Sequence, residues 1–230
     1  MSDFAATRWT LVAQARGNDT EAKAALSELC DAYYKPVVAF LACEGRTPDA
    51  ARELAHEFFA IILAGKSLGG AERGRGRFRS YLLGALKHFL ADHRAKANAE
   101  KRGGGVESVP LDTATGAGLS LPASADDERV FDRQWALTVI ARALDVVGGE
   151  LRDAGKAAHF VVLKPWLMGD GGDQAVAATQ LGMGASAVKV AIHRLRQRFR
   201  EAVKAEIAQT VPDAADVDEE LRHLVAVLAS

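Results

Sequence analysis

Apolar residues recur at intervals of three and four positions along most of this 230-residue chain. Alternating apolar and polar runs bounded by turns, which would indicate half-buried strands, are nearly absent. Because an α-helix repeats every 3.6 residues, this spacing places the apolar side chains on one face of each successive helix. The sequence therefore predicts an all-α fold.

One stretch without periodicity interrupts the helical pattern, at residues 103–126, which read GGGVESVPLDTATGAGLSLPASAD. A composition rich in Gly, Ser, Thr, Ala and Pro is typical of a flexible linker. We therefore expect two small helical domains, at residues 1–102 and 127–205, joined by this linker. An acidic helical extension is expected at residues 206–230.

Two local signals predict helix boundaries in the first domain. Thr47-Pro48-Asp49 has the residues of a helix start, since Thr supplies a capping oxygen, Pro suits the first helical position and Asp favours the positive helix end. Pro36 predicts a break, because its ring lacks an N–H and clashes with the preceding turn. A further helix is expected from there to about Cys43.

The formal net charge of −1 averages three segments of opposite sign. Residues 73–102 carry nine Lys and Arg against Asp92 and Glu100, and residues 185–204 carry six against Glu201. Residues 206–230 carry six Asp and Glu against Arg222. The basic excess expected of a nucleic-acid-binding protein is thus present in two islands, although the total hides it.

Several classes of protein are disfavoured by what the chain lacks. Its two cysteines, Cys30 and Cys43, are too few for a disulfide framework or a four-cysteine zinc site. No HExxH or phosphate-loop pattern and no convergent catalytic set is present, so we expect neither an enzyme nor a cofactor or metal. No apolar run approaches the ~20 residues that span a bilayer, and we expect a cytoplasmic protein without membrane association.

The second basic island follows a turn pattern in the segment DQAVAATQLGMGASAVKVAIHRLRQRFREAV. Gly182 suits a left-handed turn residue between a short helix and a longer one, and Ser186 begins the longer one. This pattern indicates a helix-turn-helix, whose second helix fits the major groove of DNA. A charged helix on the protein surface is an equally good interpretation of this segment taken alone.

Five segments in this order carry a family resemblance: WTLVAQAR, ALSELCDAYYKPVVAFL, PDAARELAHEFFAIIL, GRFRSYLLGALKHFLADHRAKANAEKR and LGMGASAVKVAIHRLRQRFRE. They resemble bacterial RNA polymerase sigma factors of the extracytoplasmic-function (ECF) class of the sigma-70 family, over roughly residues 7–205. The resemblance implies that the first domain binds core RNA polymerase at its clamp and melts the promoter's minus-ten element. It implies that the helix-turn-helix of the second domain docks on the minus-thirty-five element.

The same resemblance assigns three sets of candidate residues. The polymerase-binding set is Arg52, Glu53, His56, Glu57 and Phe59, with His56 standing where the family usually has Gln. The set for the minus-ten element is Lys87, His88, Asp92, His93, Arg94 and Lys96. In the second domain we expect Ser186, Lys189, His193 and Arg194 in the groove, with Arg196, Arg198 and Arg200 on phosphates. The family often has a Tyr and an acidic residue where this chain reads Gln174-Ala175-Val176.

Alternatives to a sigma factor remain open at this point. The main alternative is a two-domain helix-turn-helix regulator, as a dimer or alone, that binds duplex DNA without core polymerase. A third is an inactive paralogue that sequesters a partner. The resemblance also allows an anti-sigma factor as a partner.

The acidic extension has Leu221, Leu224, Val225 and Leu228 on one helical face. We consider two roles for it: masking a basic DNA-binding surface, or packing as an ordinary C-terminal helix.

Overall fold

The computed structural model describes residues 7–14, 20–43, 45–64, 76–101 and 125–230. These residues form ten α-helices and no strand, which confirms the predicted all-α class. The helices are α1 (Arg8–Gln14), α2 (Thr20–Cys43), α3 (Pro48–Leu63), α4 (Phe78–Lys101), α5 (Ala125–Asp153), α6 (Ala157–Leu163), α7 (Pro165–Met168), α8 (Gln174–Leu181), α9 (Ala185–Ala208) and α10 (Ala215–Ala229). The predicted linker lies outside the described residues except at its end, where α5 begins at Ala125.

The start of α3 agrees with its sequence signal. Thr47 is extended, its hydroxyl oxygen accepts a hydrogen bond from the N–H of Ala50 at 3.3 Å, and Pro48 is the first helical residue. The cap satisfies one of the N–H groups that a helix leaves without a partner at its first turn.

The predicted break at Pro36 is wrong. Helix α2 continues through Pro36 to Cys43. Proline removes one backbone donor from the helix, which costs roughly 3 kcal/mol in an exposed helix interior. Here Pro36 is buried together with Val37, Phe40 and Leu41 on the same helix, and this apolar burial offsets the lost hydrogen bond.

The chain divides into two compact units. The first unit comprises Met1–Ala136 with Gln209–Ser230, and the second comprises Leu137–Ala208. These limits differ from the predicted domains in two ways. The first unit includes the beginning of α5, and it also includes the C-terminal segment that was expected as a separate extension.

Aromatic side chains from distant parts of the sequence meet in the core of the first unit. The ring of Trp9 lies 5.1 Å from that of Phe78, and its indole N–H donates to the carbonyl of Gly76 at 2.8 Å. Tyr33 meets Phe78 edge-on at 5.0 Å, and burial raises the pKa of its hydroxyl above the ordinary range. Phe131, from the start of α5, packs edge-on against Phe40 at 6.3 Å.

Backbone hydrogen bonds attach the C-terminal segment to the first unit. The N–H of Trp9 donates to the carbonyl of Gln209 at 3.1 Å, and the N–H of Phe78 donates to that of Thr210 at 2.9 Å. Val211 and Leu224 are buried. The extension therefore packs within the first unit, beside the first turns of α1 and α4.

An ion-pair network centred on Glu220 completes this attachment. The side chain of Glu220 is 1% exposed, and its Oε1 lies 3.4 Å from Nε of Arg77 and 3.5 Å from Nη2 of Arg79. Arg79 also donates to Asp132 at 2.7 Å, and Nε2 of His223 lies 3.0 Å from the same carboxylate. The network thus joins α4, α5 and α10, and it gives a buried carboxylate the counter-charges that it requires.

Two further carboxylates of α10 reach Arg77 from the solvent side. Oε2 of Glu219 lies 2.6 Å from Nη2 of Arg77, and Oδ1 of Asp216 lies 3.8 Å from it. The hydrogen bond from Arg77 lowers the pKa of Glu219, and the same bond raises the pKa of Arg77. A carboxyl whose pKa is depressed by folding stabilises the folded state above its unfolded pKa, and this contribution is lost as the pH falls through the folded value. Lowering the pH should therefore weaken the ion pair between Glu219 and Arg77.

The second unit has its own apolar core. Buried residues from four helices form it: Val147, Leu151, Leu163, Ala177, Val188, Ile192 and Leu195. Partly buried Phe160 packs against this cluster, and Gly148 of α5 permits its close approach, because a Cβ at Gly148 would lie 2.8 Å from the Phe160 ring. Helices α8 and α9 each pack one side against this core.

Within the described residues, no single helix is long and apolar enough to cross a membrane. By length and composition alone, one pair of helices meets that criterion together, α8 with α9, which are bent by 97° at the break between them.

Candidate nucleic-acid interface

The turn between α8 and α9 is built by local capping. The Asp173 carboxylate accepts a hydrogen bond from the N–H of Ala175 at 2.8 Å and begins α8. Gly182 ends α8 with φ at 62°, the left-handed conformation that its sequence predicts. The N–H of Met183 then donates to the carbonyl of Ala178 at 2.9 Å, and α9 leaves at 97° to α8.

Packing of α9 fixes which of its side chains face solvent. Val188, Ile192 and Leu195 are buried in the core of the second unit. All seven predicted DNA-contacting residues of this helix are exposed: Ser186, Lys189, His193, Arg194, Arg196, Arg198 and Arg200. They span about 21 Å of helix, at a rise of about 1.5 Å per residue.

The seven residues do not share one stripe. At about 100° per residue, Ser186, Lys189, His193 and Arg200 fall within about 60° of arc, centred about 120° from the buried face of Val188, Ile192 and Leu195. Arg194 and Arg198 lie on one flank of this stripe and Arg196 on the other. A duplex approached by the exposed face would therefore meet the stripe first and the flanking arginines at its edges.

Arg196 has a structural contact that the sequence did not predict. Its Nε and Nη2 both donate to the backbone carbonyl of Trp166, at 3.3 and 3.1 Å. The bond ties α9 to α7 across 30 residues of sequence. Since a guanidinium has five N–H donors, three remain for a phosphate.

On α4, the apolar side chains are buried and several of the predicted minus-ten residues are exposed. Phe78, Tyr81, Leu82, Leu86 and Phe89 are buried. Three of the predicted minus-ten residues, His88, Asp92 and Lys96, are exposed and four residues apart, so they follow one line along the helix. His93 is half-buried, with its ring 6.2 Å from that of Phe89, and Arg94 is also half-buried.

Lys87, the remaining predicted residue of α4, is bound to an acidic side chain. Its Nζ lies 2.5 Å from Oε1 of Glu128 on α5, with both side chains partly exposed. The pair joins residues 41 positions apart. Glu128 thus neutralises one cation of the candidate DNA-binding face.

On α3, four of the five predicted polymerase-binding residues are exposed: Arg52, Glu53, His56 and Glu57. Arg52 forms an ion pair with Asp49 one turn earlier. Phe59 differs, since it is only 7% exposed and packs against Phe58 and Tyr34. Phe59 therefore packs beneath the exposed residues of α3, and its ring is not accessible to a partner.

Tyr34 and Glu128 are the functional candidates that sequence reasoning missed. Each contacts a predicted site residue that lies on a different helix, and no motif or spacing links the partners. The helical period does place Tyr34 about 100° from the buried Tyr33, at the edge of the solvent-facing side.

Among the described residues, no group of three or more His, Cys, Asp or Glu side chains is arranged to hold a metal ion. The two cysteines are unpaired thiols, and burial raises the pKa of Cys30 to about 12.

The chain was compared with protein-family models, with curated proteins and with solved structures, and none of them matches it.

Proposed function

We propose that the protein is a sigma factor of the ECF class, which binds core RNA polymerase in the cytoplasm, recognises promoter DNA and initiates transcription. The observation that carries this proposal is the arrangement of α8 and α9. Their packed turn leaves every predicted DNA-contacting side chain of α9 exposed, on a helix whose opposite face is buried. A helix of this kind fits the major groove, where Lys, Arg, Ser and His side chains reach base edges and phosphates.

In this proposal α9 reads the minus-thirty-five element. Lys189 is the main reader of base edges, with Ser186 and His193 beside it on the same stripe. Arg194 reaches base edges from one flank of the stripe, and Arg198 and Arg200 contact phosphates and set the register of the helix in the groove. Arg196 contributes a phosphate contact while its bond to Trp166 keeps α7 against α9.

Helix α4 acts on the minus-ten element. A single strand needs cations along its phosphate backbone, and its unpaired bases need a surface on which they can stack. The line of His88, Asp92 and Lys96 is exposed and supplies polar and cationic side chains for the backbone, whereas the aromatic rings of α4 are buried in the core. In the same proposal, the exposed side chains of α3 bind the polymerase clamp.

Three different helices then perform the three tasks of the protein. Helix α9 anchors it on duplex DNA, α4 opens the strands and α3 binds the polymerase.

The proposal is tested by reconstituted transcription. Core polymerase, the full chain and genomic DNA fragments are combined, and transcript starts are mapped by sequencing. We expect starts that depend on the protein and share a common upstream sequence. The proposal fails if the protein neither binds core polymerase nor produces such starts. In that case, tight binding of duplex DNA by the protein alone would favour a helix-turn-helix regulator.

The Lys87–Glu128 pair allows a second test of the role of α4. Replacing Glu128 with Gln should release the Lys87 cation and raise the affinity for single-stranded minus-ten DNA about threefold at low salt, since an exposed pair is worth at most about 1 kcal/mol. One added phosphate contact should also steepen the salt dependence by about 0.7 in log–log slope. Fluorescence anisotropy with a labelled strand and the holoenzyme measures both quantities.

Asp126→Asn is the matched control for this change. Asp126 lies in the same turn of α5 and loses the same charge, but its partner is Arg129, at 3.2 Å. An equal gain of affinity in both variants would show a general charge effect and contradict the specific role of Lys87.

A further inference from the structure

Two side-chain rings contact each other between neighbouring helices: Tyr34 on α2 and His56 on the exposed face of α3. The hydroxyl of Tyr34 lies 2.9 Å from Nε2 of His56, and the two rings are stacked with centroids 5.5 Å apart and planes inclined by 23°. Tyr34 is half-buried and His56 is exposed. The imidazole is thus held at two points, by a hydrogen bond at one nitrogen and by contact along its face.

Tyr34 is itself held by the core. Its ring lies 6.1 Å from that of Phe59, which is almost fully buried and packs edge-on against Phe58 at 5.3 Å. The orientation of His56 is therefore fixed through Tyr34 to the interior of the first unit. An exposed histidine on a helix without such a partner would exchange between rotamers.

A fixed ring presents a defined edge to a partner. With Nε2 engaged by Tyr34, the other ring nitrogen, Nδ1, is free to bond outward. Binding then does not require the imidazole to be immobilised, and this reduction in the entropy lost strengthens binding. The flanking side chains of Arg52, Glu53 and Glu57 are exposed on the same helix.

We infer that Tyr34 is a positioning residue for the polymerase-binding face of α3, which holds the His56 imidazole in its binding orientation. This inference rests on the proposed sigma-factor function for the identity of the partner. The hydrogen bond and the stacking that carry it are properties of the free protein.

A double-mutant cycle tests the inference, with the variants Tyr34→Phe, His56→Ala and the two combined. Affinity for core polymerase is measured by titration of the full chain, and thermal unfolding of each variant is measured in parallel. Tyr34→Phe should weaken core binding about three- to tenfold, the range expected when binding must immobilise one additional side chain. The double variant should bind no more weakly than His56→Ala alone, because Tyr34 acts through His56. A purely structural role would change unfolding without this non-additivity in binding.

A second measurement uses the free protein. NMR of the His56 side chain should show one dominant χ1 rotamer in the wild type and rotamer averaging in Tyr34→Phe. Lys35→Ala, an exposed neighbour on α2, is the control and should leave both the rotamer and core binding unchanged.

The outcomes separate the two claims. If the wild-type protein does not bind core polymerase, the proposed function and the inferred partner are both wrong. If the wild type binds and Tyr34→Phe binds equally well, or if its effect persists in the His56→Ala background, the inference alone is overturned. An unchanged His56 rotamer in Tyr34→Phe would also overturn it.

Discussion

Replacing Glu220 with Gln is expected to lower the free energy of unfolding of the first unit by about 3 kcal/mol, which is the low end of what breaking a buried ion pair costs. The carboxylate lies between Arg77 and Arg79, whose side chains are only 20% and 12% exposed. Glutamine has nearly the same shape but no charge. The two arginines would then stay close together and lose a shared counter-charge.

Tryptophan fluorescence during urea unfolding can measure this loss. Of the three tryptophans, Trp9 and Trp135 belong to the first unit and Trp166 to the second. In a Trp166→Phe background, the remaining signal reports on the first unit alone. This separation matters because a chain of two units need not unfold in one step.

Glu219→Gln is the matched control. It removes the same charge from the same helix and from the same arginine, but Glu219 faces solvent, with a side chain 58% exposed. Since water screens exposed pairs, the loss should be a small fraction of that for Glu220→Gln. Equal losses in the two variants would contradict a special role for the buried carboxylate.

The same network affects how the acidic extension should be tested. Deleting residues 212–230 would remove Glu220 and Leu224 from the first unit, so a change in DNA binding would not distinguish masking from unfolding. Glu219→Gln is the better probe of masking, because it frees Arg77 on its solvent side and leaves Glu220 in place. An increase in DNA affinity with unchanged unfolding would support masking.

Replacing Lys189 and Arg194 together with Ala is expected to weaken binding of minus-thirty-five duplex DNA about 100-fold, since one lost contact to a base edge costs about 1–3 kcal/mol. Both side chains are exposed, so the fold of the second unit should be retained. Anisotropy of a labelled duplex, taken from a promoter that the reconstituted reaction identifies, measures the affinity of the holoenzyme.

Arg152→Ala with Lys156→Ala is the control for this double variant. The two residues are exposed in the same unit, lie outside α9 and carry the same total charge. A comparable loss of affinity in the control would mean that α9 acts only through the general charge of the unit. Unchanged affinity in the Lys189 and Arg194 variant would contradict the proposed reading helix.

The local elements of this fold follow closely from the sequence. The start of α3 at Thr47-Pro48, the left-handed Gly182 and the buried face of α9 each depend on residues within a few positions of one another. Capping, backbone conformation and the helical period act over that range, so a single sequence suffices to predict them. Continuation of α2 through Pro36 is the exception, because the burial that offsets the lost hydrogen bond is supplied by the core.

Composition, periodicity and motif order thus determined that the chain is helical, which helix faces are apolar and where its cations cluster. Only the tertiary structure decided which distant residues meet. It placed Glu128 on Lys87, Tyr34 on His56 and Glu220 between Arg77 and Arg79, and it made the C-terminal segment part of the first unit. These pairings join residues 22 to 143 positions apart. Neither partner of a pair can be predicted from the residue type of the other. They depend on how the helices pack, and packing is set by the whole core rather than by any local pattern.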